Sequence, residues 1–133
     1  MTTATMPNPI ARPRWMTVTS WILSALPVFV LLSSAFVRAT QRTNASAEIV
    51  DSYGYPESAI MRIVIAECVL VLLYLIPRTA VFGAILLTGY LGGAVATHLR
   101  IGDPARAMIP LMCGILAWGG LYLRNEKLRA LIF

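Results

Sequence analysis

At 133 residues, with 58% hydrophobic and only 13% charged side chains, the chain lacks the charge of a water-facing surface, about 25% in soluble domains. The length suits one compact bundle and leaves no room for a second domain. The net charge of +5 does not signal nucleic acid, because the Lys and Arg residues flank apolar runs instead of gathering into one stripe, and no recognition motif is present.

Residues 1–14 are polar, carry Pro7, Pro9 and Pro13, and read as a disordered tail. A first apolar span covers 15–37. Trp15 and Trp21 suit the membrane interface, Arg12 and Arg14 sit just outside, and Pro27 is placed to kink the helix. A cleaved signal peptide is the rival reading, since Ser33-Ser34-Ala35 resembles a cleavage site, but the apolar run is longer than a usual signal core. The polar loop 38–58 contains an Asn44-Ala45-Ser46 glycosylation sequon, a short motif that is usually accidental. Pro56 fits a first helical turn, and Glu57 favours its dipole.

From 63 to 96 only Glu67 and Arg78 carry charge. As one helix that run would measure about 50 Å, against a hydrocarbon core of about 30 Å. Pro77-Arg78 divides it, which predicts a transmembrane hairpin with spans at 59–76 and 79–99. Gly102 ends the second of these, Asp103 is a good N-cap and Pro104 suits the next first turn. A fourth span covers 107–123, with Pro110 either kinking it or marking its start, and 124–133 is a short, basic, amphipathic tail. The expected fold is all-α, an integral membrane bundle of four transmembrane helices. Both termini then share one side with Pro77-Arg78. Arg12, Arg14, Arg78, Arg124, Lys127 and Arg129 there, against Arg38, Arg42, Arg62, Arg100 and Arg106 opposite, favour cytoplasmic termini in the cell membrane.

Glu67 is the sharpest single residue. A carboxylate near mid-membrane costs a few kcal/mol or more, so it is expected to be protonated, paired or turned inward. Its helix face carries Ile60, Ile63, Val64, Val71 and Tyr74. Two readings stand together: a proton relay or ligand contact, or a structural Glu bonded to a helix neighbour or paired with Arg62. His98, the only histidine, is either an interfacial His bonded to a backbone carbonyl or a donor to a quinone carbonyl. Arg62, Glu67, Thr97, His98, Arg100 and Asp103 project into the same half of the bilayer or its rim and form the candidate polar cluster. Arg100 and Asp103 equally suit a plain loop ion pair. Gly89 and Gly93 form a GxxxG pair, with Gly92 and Ala96 offset by one step; the expectation is the tightest helix crossing inside the monomer, ahead of a homodimer seam. Cys68 and Cys113 read as small buried apolar residues, with a redox pair as the sharper alternative. No metal-binding spacing, phosphate loop or nucleophile motif appears, so no cofactor is implied by ligand residues.

The stretch 74–104, YLIPRTAVFGAILLTGYLGGAVATHLRIGDP, followed by LAWGGLYLRNEKLRALI at 116–132, resembles the DoxX-like family of small four-helix membrane proteins. GYPES at 54–58 and WILS at 21–24 extend the likeness. The family-like polar positions are Glu67, Pro77, Arg78, Tyr90, Thr97, His98, Arg100, Gly102 and Asp103. The family is named for a subunit of a membrane thiosulfate–quinone oxidoreductase. The resemblance therefore implies an accessory subunit of a quinone-linked redox system, with quinone as a diffusible partner and no agreed catalytic residue. The alternative is a non-catalytic binding or assembly protein that meets a membrane partner, or its own copy, through helix contacts. A solute or ion pathway with Glu67 as its charge is a third, weakened by the lack of inverted repeats.

Overall fold

The computed structural model describes residues 13–40 and 47–132. Helix α1 spans Arg14–Thr40, a π-helical turn spans Glu48–Ser52, and α2 (Glu57–Leu75), α3 (Ala80–Arg100), α4 (Pro104–Arg124) and the short α5 (Glu126–Ile132) follow. The four long helices are long and apolar enough to cross a membrane, as the sequence predicts. Arg12, Arg42, the sequon at Asn44 and all of the predicted tail before Pro13 lie outside the described residues.

Each helix end has a local cause. Proline 77 and Arg78 form the tight turn between α2 and α3. There Thr79 turns its hydroxyl back to the Leu73 carbonyl at 2.8 Å, satisfying an acceptor that the end of α2 leaves open. Gly102 takes φ +76°, a conformation that favours glycine, and closes α3. Asp103 then caps α4 by accepting the Arg106 amide at 3.0 Å, with Pro104 in the first turn. Pro110 accordingly lies inside α4 and is buried, so Pro104 and not Pro110 marks the start.

The core is a seam along the bundle axis. Helix α2 buries Ile60, Val64, Glu67, Val71 and Tyr74, a spacing of alternating four and three residues that keeps one stripe inward. Tyr74 is fully buried; its hydroxyl donates to the Ala117 carbonyl at 2.8 Å and so accepts from Ser24 at 2.9 Å, joining α1, α2 and α4. The opposite faces carry large apolar side chains in the open: Phe29 is 73% exposed, and Leu72, Phe82 and Ile115 are comparably bare. Such a surface is an aggregation hazard in water and the normal surface in lipid.

The tightest crossings differ from the predicted ones. A β-carbon at Gly83 would come within 2.5 Å of the Tyr74 amide nitrogen, and one at Gly120 within 2.9 Å of the Ser20 carbonyl oxygen on α1. At Gly89, Gly92 and Gly93 it would meet nothing within 4 Å. The GxxxG face, with exposed Ala96, is therefore an open surface, and the close approach of helices is made by Gly83 and Gly120 instead. Both cysteines are free, Cys113 buried in the core and Cys68 half-buried.

Candidate functional site

Glu67 is 1% exposed, turned inward near the middle of α2. Its partner is Arg38, in the last turn of α1, whose Nη1 lies 2.7 Å from Oε2. Ser34, one turn earlier on α1, donates to Oε1 at 2.7 Å and accepts from Arg38 Nη1 at 3.1 Å. Tyr90 of α3 interacts with both members of the pair. A carboxylate inside a bundle is tolerable when its lone pairs are filled by charge-assisted hydrogen bonds, and these supply them. The predicted alternative partner, Arg62, is exposed on the outer face of α2, midway in sequence between the inward-facing Ile60 and Val64. Ser34, which joins this network, and the buried Ala35 lie inside α1 at the point that the signal-peptide reading takes as a cleavage site.

Above the pair lies a cavity of about 290 Å³. Its polar edge is made by Arg38, Tyr53, Tyr55, Tyr90, Thr97 and His98, and its apolar walls by Ile49, Ile63, Gly89, Gly93 and Ala94. The described part of the loop between α1 and α2, residues 47–56, roofs it, and three ties hold that roof down. Glu48 pairs with Arg106 of α4, which also holds Asp103 at 3.3 Å. The Tyr53 carbonyl accepts from Arg100. Thr97 spends its one hydroxyl proton on the Gly93 carbonyl at 2.9 Å, so the Tyr55 hydroxyl donates to Thr97 Oγ1, also at 2.9 Å. Gly54, at φ +70°, turns the chain between the two tyrosines. The Tyr53 ring meets His98 edge to face at 5.4 Å between centroids. Among the described residues His98 Nδ1 is buried without a hydrogen-bond partner, although most buried polar atoms have one.

The six predicted cluster residues thus divide. Thr97 and His98 line the cavity, and Glu67 fixes Arg38 at its edge. Arg100 ties down the roof, Asp103 caps α4 and pairs with Arg106 instead of Arg100, and Arg62 faces outward. Arg38, Tyr53, Tyr55 and Tyr90 complete the site. Of these, Tyr90 is one of the family-like positions, Tyr55 falls in the family-like stretch 54–58, Tyr53 falls in the polar loop 38–58, and Arg38 counts among the charges of the side opposite the termini. The signal that marks Arg38 is its position four residues after Ser34, on the helix face that meets Glu67.

A family model described as the DoxX-like family matches residues 22–120, which takes in the four long helices from Ile22 to Gly120 and every cavity residue named above. No curated protein and no solved structure matches the chain.

Proposed function

The chain belongs to the DoxX-like family, and we propose that it acts as an accessory subunit of a quinone-linked redox system in the cell membrane, receiving a quinone head group in the cavity beneath Tyr53. The observation that carries this reading is the charge balance of the cavity. Arg38 offers donors at its edge, but Glu67 cancels its charge from below, so the cavity favours a neutral polar ligand over an anion. Its volume lies at the lower end of the range for ligand pockets, about 300–1,000 Å³, which suits one ring. Ile49, Ile63 and Ala94 offer apolar contact to the ring faces, and His98, when protonated on Nδ1, donates to a carbonyl at the ring edge. A bound quinone would supply two-electron redox chemistry; this chain's residues would hold and orient it and keep water from it beneath the roof.

The test is quinone binding by the purified protein in nanodiscs. Saturable binding that Glu67→Gln and His98→Ala both weaken by about tenfold, one hydrogen bond to a polar ligand, supports the reading. No binding by a folded wild type overturns it. The second reading, an assembly protein acting through helix contacts, is favoured by the open Gly89–Gly92–Gly93 face of α3. It predicts that Gly92→Leu disrupts a complex while Glu67→Gln leaves that complex intact. We further propose cytoplasmic termini: among the described residues Arg14, Arg78, Arg124, Lys127 and Arg129 lie on that face, against Arg38, Arg62, Arg100 and Arg106 opposite.

A further inference from the structure

Beside the charge-balanced cavity lies a groove that is not balanced. It has a volume of about 320 Å³ and shares Tyr55, Gly93 and Thr97 with its neighbour. Its floor is Gly93 and Ala96, both exposed on α3. Its rim is Arg100, the last residue of that helix, also exposed. Arg100 donates to the Tyr53 carbonyl, and among the described residues no carboxylate pairs with it. Of the other arginines of this end, Arg38 is held by Glu67 and Arg106 by Glu48 and Asp103, and Arg62 is exposed on α2 and does not line the groove. Asp103, three residues from Arg100, is taken up by Arg106 and by the cap of α4, so it does not neutralise the groove.

We propose that this groove binds one anionic phospholipid, with the phosphate on Arg100 and an acyl chain along Gly93 and Ala96. The guanidinium fork matches phosphate oxygens, and one hydrogen bond to a backbone carbonyl leaves most of its donors for the ligand. The end of a membrane-spanning helix lies at headgroup depth. Below it, Gly93 carries no side chain and Ala96 only a methyl, so a methylene chain can lie close along α3 and gain dispersion contacts. The proposal does not depend on a quinone in the neighbouring cavity.

The full-length protein, reconstituted in nanodiscs of equal parts phosphatidylcholine and phosphatidylglycerol, is extracted in mild detergent, and the lipid retained per protein is read by mass spectrometry. The wild type is expected to keep phosphatidylglycerol over phosphatidylcholine by about fivefold, because both lipids present a phosphate to Arg100 but the choline ammonium of phosphatidylcholine cancels its charge. Arg100→Gln loses that preference, Arg100→Lys keeps part of it, and Gly93→Leu retains neither lipid. Arg62→Gln, which removes an exposed charge from the same end of the bundle, behaves as wild type. Equal retention of the two lipids by the wild type overturns the proposal, as does an unchanged preference in Arg100→Gln. Should Arg100→Gln fail to fold, the wild-type preference and Gly93→Leu decide it.

Discussion

Arg38 in the last turn of α1 and Glu67 near the middle of α2 form an ion pair, 2.7 Å from Nη1 to Oε2, that joins two helices inside the bundle. Removing one member leaves a buried charge without its counterion, which costs about 3–5 kcal/mol, whereas replacing both by apolar groups is often neutral. Arg38→Met and Glu67→Leu are each expected to lower unfolding stability in micelles by that amount, and the double variant to recover most of it. Losses that simply add in the double-mutant cycle would show that the two side chains do not interact.

The glycines divide by what stands opposite them. Gly83→Ala forces a β-carbon against the backbone of Tyr74, and Gly120→Ala forces one against Ser20 and Ser24. Neither backbone can move away without opening a helix pair, so each substitution is expected to cost about 1–3 kcal/mol, the usual penalty of overpacking. Gly92→Ala meets nothing within 4 Å and is expected to leave stability unchanged or slightly raised, because alanine favours the helix. Thermal unfolding of the three variants in one detergent tests the ranking, and a severe loss in Gly92→Ala would contradict it.

Much of the fold was legible because lipid imposes simple rules. The four apolar runs, the break at Pro77-Arg78 and the Gly102-Asp103-Pro104 stop, cap and start each follow from local chemistry, and the structure carries them within a few residues. The inward stripe around Glu67 was legible for the same reason, since Ile60, Val64, Val71 and Tyr74 keep its period. Partner choice was not. Arg62 is nearer to Glu67 in sequence, but it projects from another face of the same helix, while Arg38 reaches in from a neighbouring one. The GxxxG pattern also misled, because small residues permit close approach without requiring it, and here α4 approaches α1 through Gly120 and α3 approaches α2 through Gly83.

The roof of the cavity is held by contacts that are individually weak. The Glu48–Arg106 pair is exposed on both sides, and such pairs contribute about 0–1 kcal/mol. Arg106→Gln is therefore expected to leave the melting temperature nearly unchanged while raising amide exchange in 48–55, since it releases that loop from α4. High salt should act in the same direction on the wild type. Hydrogen exchange with mass spectrometry measures both, and equal protection in the variant would mean that Arg100 and Tyr55 hold the roof alone.

Arg124 fixes which helix ends share a face. From the last turn of α4 it donates to the Tyr74 carbonyl at 2.6 Å, and its guanidinium stands 4.5 Å from the Tyr74 ring centroid and 5.4 Å from that of Trp21. The beginning of α1, the end of α2 and the end of α4 are thereby tied together, and the roof loop lies at the opposite end. With cytoplasmic termini, an impermeant thiol reagent applied to intact cells should label Ser52→Cys and not Lys127→Cys, both positions being exposed. The background is Cys68→Ala with Cys113→Ala, which removes the native thiols. Labelling at Lys127→Cys alone would reverse the orientation and put the cavity at the cytoplasmic face. Labelling at both positions in unbroken cells would contradict the three spans that separate them.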